Sequence, residues 1–147
     1  MADTPHRSAE LTQVERYRFE IRYPDRPYGP LAVDEAPPVG SGTGPNPVEA
    51  LAGAVGHCMS STLVNTLGRA HVEAAPLRTL VDVEVGRNEQ GRLRVRSLAV
   101  RIETEPRHPE DRERFDHCVA IFEDFCTVSG AVRVGILIRT EVGATRP

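Results

Sequence analysis

The segment that most constrains the fold of this chain is residues 44–68, GPNPVEALAGAVGHCMSSTLVNTLG. Asn46 is a favoured N-cap residue, Pro47 suits the first helical position, and Glu49 stands where a capping box places its carboxylate. The loop before it is rich in proline and glycine and predicts no regular structure. The sequence therefore predicts that a helix begins at this point.

The predicted helix runs to Leu67, with Gly68 as its stop. From Val48 to Ser60 it carries one charge, and small side chains dominate the segment. A helix that is apolar nearly all round is buried on several sides, and small side chains let neighbouring backbones approach closely. This helix also places Cys58 near its middle.

The remaining elements predict an α+β protein with a largely antiparallel sheet. Alternating apolar residues predict strands at 17–23 and 31–35, and two longer strands around a turn within 77–106. Apolar residues at three- and four-residue spacing predict an amphipathic helix from Pro109 to Phe125, and CTVSG at 126–130 is predicted to interrupt it. The pattern at 132–142 predicts a closing strand.

Length and charge restrict the class of protein. The 147 residues carry a formal net charge of −3. This length predicts one domain over 15–147, preceded by a flexible tail at 1–14. The charge gives no reason to expect nucleic acid or a membrane as partner. No apolar run is long enough to cross a bilayer, and the polar start lacks the core of a signal peptide. We therefore expect a cytoplasmic protein.

Three cysteines, Cys58, Cys118 and Cys126, leave core packing, redox chemistry and metal binding open. Cys58 lies about 18 Å along its helix, too far for the dipole of that helix to ionise it, so an external cation is required. Core packing is the alternative interpretation of Cys58. Cys118 shares the apolar face of its helix and is predicted to be core. Cys126 lies at a more accessible junction between helix and turn.

Metal and cofactor binding are not expected. His57 precedes Cys58 and His117 precedes Cys118, but adjacent helical residues point about 100° apart and make poor chelates. No motif for a nucleotide, haem or flavin is present. Of the three possibilities for the thiols, packing and redox chemistry therefore remain the main ones.

Two segments resemble the OsmC/Ohr family of osmotically inducible and organic hydroperoxide resistance proteins. They are GPNPVEALAGAVGHC and FCTVSGAVRVGI, and DEAPPVGSGTGPNP is similar to the OsmC-like subgroup. The resemblance covers about residues 15–142. It implies an OsmC-like fold in which the helix carrying Cys58 is buried at the centre of an intertwined homodimer. It also implies a dry, apolar site at the subunit interface.

The resemblance further implies a thiol-dependent peroxidase acting on organic hydroperoxides. Cys58 would become a sulfenic acid, Cys126 would resolve it as a disulfide, and a dithiol reductant such as a lipoylated protein would reopen the bond. The alternative is a dimer of the same fold that binds a small hydrophobic ligand without peroxidase activity. A structural or metal-bound module is a third possibility.

Two further residues follow from the resemblance. Active members use an arginine near the first hairpin and a glutamate directly after the helix-start proline to ionise the cysteine. Here Val48 follows that proline, and the acid is Glu49, one residue later. One helical step turns a side chain by about 100°, so Glu49 is either functional or only a cap. Arg26 is the first candidate for the cation, and Arg22 is the second.

Overall fold

The structure is a computed structural model that describes residues 7–143. The first six residues of the predicted tail lie outside this range. Five strands, three α-helices and two short 3-10 helices follow one another along the chain: β1 Glu10–Glu15, β2 Arg18–Arg22, β3 Leu31–Val33, α1 Pro47–Arg69, β4 Arg78–Arg87, β5 Leu93–Glu103, 3-10 Pro109–Asp111, α2 Arg112–Ile121, 3-10 Phe122–Phe125 and α3 Thr127–Val134. The predicted α+β class with antiparallel sheets is confirmed.

The described residues divide into two compact units. The first unit contains residues 7–53 and 83–98, and the second contains residues 54–82 and 99–143. Helix α1 and strands β4 and β5 each contribute residues to both units. The single domain expected over 15–147 stays a prediction.

In the first unit, β1, β2 and β3 form an antiparallel sheet in that order. Ile21 pairs with Leu11 on one side and with Leu31 on the other, so apolar side chains of all three strands share a face. Strand β1 lies partly within the stretch predicted to be a loose tail, and that prediction is wrong for residues 10–14. Every β1 side chain is exposed, so backbone hydrogen bonds to β2 hold the strand in place. Such bonds leave no periodic pattern of hydrophobic residues in the sequence.

The loop between β3 and α1 is organised by the buried carboxylate of Asp34. One carboxylate oxygen accepts a hydrogen bond from the amide of Glu35 at 2.8 Å. The other accepts from the amide of Ser41 at 3.0 Å and from the amide and hydroxyl of Thr43 at 3.3 and 3.0 Å. A Cβ at Gly40 would lie 2.1 Å from the carbonyl oxygen of Glu35, so only glycine fits there. The loop thus delivers the chain to α1 in a fixed path.

Helix α1 begins as predicted. The Glu49 amide donates to Oδ1 of Asn46 at 3.0 Å, and the Asn46 amide donates to Oε2 of Glu49 at 2.9 Å. These two reciprocal bonds are a capping box, which satisfies two backbone donors that the helix would otherwise leave free. The capping interpretation of Glu49 is therefore shown.

The end of α1 differs from the prediction. Gly68 lies inside the helix, which continues to Arg69. The stop is His71, whose φ of 54° places it in the left-handed region. The amide of Val72 then bonds back to the carbonyl of Leu67 at 3.0 Å, in the pattern of a Schellman motif. A non-glycine residue at such a stop gives no clear signal in the sequence.

The core of the second unit lies along one stripe of α1. Helix α1 contributes every fourth residue to this core: Val55, Met59, Leu63 and Leu67. Later segments contribute the other buried residues: Val72, Phe115, Cys118, Phe122 and Cys126. Cys118 is 2% exposed, so its prediction as a core residue is confirmed.

A second face of α1 approaches strand β4 closely. The Ser60 and Thr79 hydroxyls are 2.7 Å apart and share a hydrogen bond. A Cβ at Gly56 would lie 2.8 Å from a methyl of Val81, which is closer than real contacts allow. Within this chain, small residues therefore bring a helix onto a strand. The opposite face of α1, with Ala54, His57 and Ser61, remains open.

The C-terminal segment departs most from the prediction. The helix expected from Pro109 is divided into α2 and two 3-10 helices, and α3 replaces the predicted interruption at 126–130. The closing strand predicted at 132–142 is wrong for this chain, because its first residues end α3 and the described residues 135–143 form no strand. Leu137 and Val142 are 77% and 92% exposed. A strand is held by backbone hydrogen bonds to a neighbouring strand, and residues 135–143 pair with none of the strands in the described part of the chain.

Over residues 7–143, no helix has both the length and the apolar character needed to cross a membrane.

The Asp34 carboxylate predicts a pH-dependent contribution to stability. Burial acts to raise its pKa, but the hydrogen bonds from Thr43, Ser41 and Glu35 act more strongly, so its pKa lies below its ordinary value. A carboxyl that is more acidic in the folded state stabilises the protein above its unfolded pKa of about 3.9. That contribution is lost as the pH falls through the lower, folded pKa.

We expect Asp34→Asn to lower the melting temperature by several degrees at neutral pH. Asparagine replaces one accepting oxygen of Asp34 with an NH2 group, which faces hydrogen-bond donors and cannot accept from them. The difference from the unmodified protein should shrink as the pH falls below about 4. Thermal unfolding followed by circular dichroism at several pH values measures it. Asp116→Asn, which changes an exposed ion pair with Arg112, serves as the control. An Asp34 effect no larger than that of the control would contradict this account.

Candidate active site

Two thiols meet in the second unit. The sulfur of Cys58, near the middle of α1, lies 3.0 Å from the sulfur of Cys126, which is the N-cap residue of α3. Both cysteines are free, and the distance is well above the length of about 2.05 Å of a disulfide bond. The two sulfurs share a hydrogen bond, in which either thiol can donate to the other. Of the predicted site residues, the structure thus brings Cys58 and Cys126 together.

The two thiols differ in exposure. Cys126 is 4% exposed, whereas Cys58 is half-buried and lines an open groove of about 550 Å³. The groove is lined by α1, by the end of the second 3-10 helix and by the start of α3: Ala54, His57, Cys58, Ser61, Thr62, Asn65, Phe125 and Val128. A small molecule in this groove reaches the sulfur of Cys58 first.

The wall of the groove is mostly apolar, but it also carries polar side chains beside the thiol. The dry site at a subunit interface that the resemblance implies stays a prediction. Helix α1 contributes an imidazole, two hydroxyls and an amide to its wall, from His57, Ser61, Thr62 and Asn65. The apolar part comes mainly from Phe125 and from two smaller side chains. In the single chain, the groove therefore offers hydrogen-bonding groups beside the thiol.

The sulfur of Cys58 lies at the N-terminus of a helix other than its own. The amide of Val128, in the first turn of α3, donates a hydrogen bond to it at 3.4 Å. The N-terminus of a helix carries free amide donors and a partial positive charge, both of which favour an anion. This source of polarisation was not predicted from the sequence, because the pattern at 126–130 predicts an interruption rather than the start of a helix. The prediction that only a cation can ionise Cys58 is therefore incomplete.

The environment of Cys126 favours its ionised form. Burial acts to raise the pKa of this thiol, but the neighbouring donor groups of Cys58, Ser129 (hydroxyl and amide) and Thr62, which favour a negative charge on its sulfur, act more strongly. The net result is a pKa below the ordinary value. The buried thiol of the pair is thus more acidic than a free cysteine.

The remaining candidates, Arg26, Arg22 and Glu49, belong to the first unit. Arg26 is exposed, and its amide closes a turn by donating to the Tyr23 carbonyl at 3.0 Å. Arg22 forms an exposed ion pair with Glu20 at 3.2 Å. Both arginines and Glu49 belong to the first unit, whereas the two thiols belong to the second. Their part in any chemistry of the thiols stays a prediction.

The third thiol is separate from the pair. The sulfur of Cys118 lies 3.7 Å from the carbonyl oxygen of Thr66 and forms part of the core. Among residues 7–143, no three His, Cys, Asp or Glu side chains cluster in a way that could hold a metal ion.

Solved structures with the same fold come from several bacteria. An OsmC-like protein of unknown function from Vibrio cholerae matches with a TM-score of 0.75 at 12% identity, over 87% of this chain and 94% of that one. An organic hydroperoxide resistance protein from Elizabethkingia anophelis matches with a TM-score of 0.65 at 18% identity, over 90% and 91%. The organic hydroperoxide resistance protein OhrB of Bacillus subtilis matches with a TM-score of 0.58 at 22% identity, over 86% and 90%.

These similarities, at low identity, establish the fold. A comparison with curated protein sequences gives no match. The sequence model of the family described as OsmC-like protein matches residues 40–141, which include both thiols and most of the described chain. The chain therefore belongs to the OsmC-like protein family.

Proposed function

We propose that this chain is a thiol-dependent peroxidase that reduces organic hydroperoxides. The observation that carries the proposal is the pair of free sulfurs 3.0 Å apart, of which one lines an open groove. A substrate reaches Cys58 from the groove, and a second thiol stands within reach of any oxidised form of that sulfur. Family relatives described as organic hydroperoxide resistance proteins support a peroxidase-like role in general.

In the proposed cycle, the Cys58 thiolate attacks the terminal oxygen of the hydroperoxide. The O–O bond breaks, Cys58 becomes a sulfenic acid, and the alkoxide takes a proton to leave as an alcohol. The Cys126 thiolate then attacks the Cys58 sulfur, a disulfide forms, and the hydroxide leaves as water after taking a proton. A dithiol reductant, such as a lipoylated protein, reduces the disulfide and is itself oxidised to a disulfide.

The order of the two cysteines follows from exposure and acidity. Cys58 contacts the groove and is positioned to meet the substrate, while Cys126 is nearly inaccessible. The lowered pKa of Cys126, where burial is outweighed by hydrogen-bond donors, supplies a second thiolate where the resolving step needs it. Arg26 and Glu49 are proposed to assist ionisation of Cys58, and in Glu49 this role would add to its capping bonds.

We also propose that two copies of the chain form a homodimer through the C-terminal segment, residues 134–142. Its large apolar side chains are strongly exposed: Val134, Ile136, Leu137, Ile138 and Val142. Such a run, with an unpaired backbone, suits strand pairing with a second copy, which would bury it. The three free thiols fit a reducing compartment, and we propose the cytoplasm.

One observation favours the alternative function, a family member that binds a small hydrophobic ligand. The first unit has a second cavity of about 310 Å³ whose wall is almost entirely apolar. It is formed by side chains of the sheet and of the start of α1, including Leu11, Phe19, Ile21, Val33 and Ala50. A small apolar molecule would fit such a cavity. Unchanged thiols after peroxide treatment would favour this alternative.

The peroxidase proposal predicts a defined change in thiol content. One equivalent of cumene hydroperoxide should remove two thiols and form a Cys58–Cys126 disulfide that dithiothreitol reverses. Thiol counting and peptide mass spectrometry measure it. Cys118 should remain free in every sample and so serves as an internal control. Three intact thiols after peroxide treatment would rule out the proposed cycle.

The second cysteine has a separate test. In Cys126→Ser, Cys58 should still be oxidised once but should then stop or proceed to the sulfinic acid, because no thiol resolves it. Cys58→Ser should consume no peroxide. Peroxide consumption with dithiothreitol as reductant compares the two variants with the unmodified protein. Normal turnover by Cys126→Ser would show that Cys126 is not the resolving residue.

The dimer proposal predicts a dependence on the C-terminal segment. The unmodified protein should have twice the mass of one chain in sedimentation equilibrium. Ile138→Asp should shift it toward the monomer, because a buried carboxylate opposes the pairing. Thr140→Asp adds the same charge to the same segment at a residue that is already polar, and it is the control. A monomeric unmodified protein, or a dimer indifferent to Ile138→Asp, would contradict the proposal.

A further inference from the structure

The hydroxyl of Ser129 is buried and forms no normal hydrogen bond with the described residues of the folded, reduced protein. The residue is 4% exposed, and its Oγ has no hydrogen-bond partner of normal geometry within residues 7–143. Nearly all buried polar side-chain atoms in native proteins have a partner, because an unpaired one loses its bonds to water without replacement. The position of this hydroxyl therefore requires an explanation.

The place of Ser129 in α3 supplies one. Cys126 is the N-cap residue, so Ser129 is the third residue of the helix, whose amide is normally bonded by the side chain of the N-cap. A neutral thiol is a weak acceptor and forms no such cap here, whereas a thiolate is a strong acceptor. The amide and the hydroxyl of Ser129 therefore lie where a negative charge on Cys126 would be held.

The second sulfur lies at the same helix end. The amide of Val128 donates to Cys58 at 3.4 Å, while the two sulfurs are 3.0 Å apart. Two negative charges at that distance repel strongly, so the pair loses one proton and shares the remaining one. The first turn of α3 thus has donors for the charge on either sulfur.

We propose that Ser129 is a positioning residue whose hydroxyl, together with the first amides of α3, holds the single negative charge of the Cys58–Cys126 pair. The inference rests on the proposed function, because a peroxidase needs a thiolate at this place. It also explains how this chain can ionise the pair although Val48 stands where active relatives have a glutamate.

The acidity of Cys126 agrees with this arrangement. Burial raises the pKa of its thiol, yet donors that include both groups of Ser129 bring it below the ordinary value. The charged and titratable groups nearest to the two thiols along the chain are His57 of α1, Glu123 and Asp124 of the second 3-10 helix, and Arg133 of α3. Helix α1 also carries Glu49 in its first turn and Arg69 in its last turn. Arg133 forms an ion pair with Glu123, and His57 shares the groove with Cys58. The hydroxyl of Ser129 is neutral, so its contribution does not depend on the titration of these groups.

The same donors assign a direction to the reductive step. A thiolate of the reductant attacks the Cys58 sulfur from the groove, and a new sulfur–sulfur bond forms there. The Cys58–Cys126 bond breaks, and its electron pair leaves on Cys126. A thiol of lower pKa is the better leaving group, and Ser129 receives the charge that develops. The reductant is therefore joined transiently to Cys58 rather than to Cys126.

The test is a pH titration of thiolate absorbance in the far ultraviolet, made on reduced protein without peroxide. Ser129→Ala should raise the midpoint of the first thiol transition by about one pH unit, which is about tenfold less thiolate below that midpoint. Ser129→Thr, which keeps a hydroxyl, should restore it. Ser61→Ala removes a hydroxyl elsewhere in the groove and should leave the midpoint unchanged. The melting temperature of Ser129→Ala should not fall, because an unpartnered hydroxyl is removed.

An unchanged midpoint in Ser129→Ala would overturn the inference, as would an equal shift in Ser61→Ala. The inference would also be overturned if Ser129→Thr fails to restore the midpoint and both Ser129 variants have a lower melting temperature. That result would mean that Ser129 contributes to packing instead. Peroxide consumption is measured separately on the unmodified protein. If that protein consumes none while Ser129→Ala shows the shift, the inference stands and the proposed function fails.

Discussion

The contact between the sulfur of Cys58 and the first turn of α3 joins the parts of the second unit on which the site depends. It requires that α1 bring a small side chain to this point and that α3 begin here with its amides free. The core stripe of α1 and the buried residues of α2 fix the helix from one side, and strand β4 fixes it from another. The polarity of the site follows from this packing, because backbone amides of a helix end need no charged side chain to favour an anion.

The sequence was most informative where local chemistry decides structure. The start of α1 was predicted correctly because Asn46 and Glu49 form a cap from residues three apart, and such caps have a recognisable pattern. The turn between β4 and β5 was found for the same reason, since Gly91 with a φ of 75° suits a tight turn. The family resemblance indicated Cys58 and Cys126, and the structure brings their sulfurs to 3.0 Å, while their roles stay a prediction.

The sequence was least informative where partners distant along the chain decide structure. Strand β1 exists because its backbone bonds to β2, and its exposed side chains carry no period. The predicted strand at 132–142 has the residue pattern of a strand, but it pairs with no strand of the described chain, so the pattern alone predicted the wrong structure. Ser129 had no signal at all, because its significance lies in a missing bond and in a neighbour that only the fold supplies.

The close approach of Gly56 to Val81 makes the residues at these two positions depend on each other. A methyl group at 56 would meet a Val81 methyl at 2.8 Å, and Val81 is β-branched, so it has little rotamer freedom with which to yield. If the residue at 81 were alanine, the nearest remaining contact at 56 would be the Thr79 methyl at 3.6 Å, an ordinary packing distance. Substitutions at the two positions are therefore expected to be non-additive and to vary together among homologous sequences. Cys58 lies two residues beyond Gly56 in the same helix. Only substitutions at 56 and 81 that preserve the distance between α1 and β4 are therefore expected to leave the Cys58 sulfur in place.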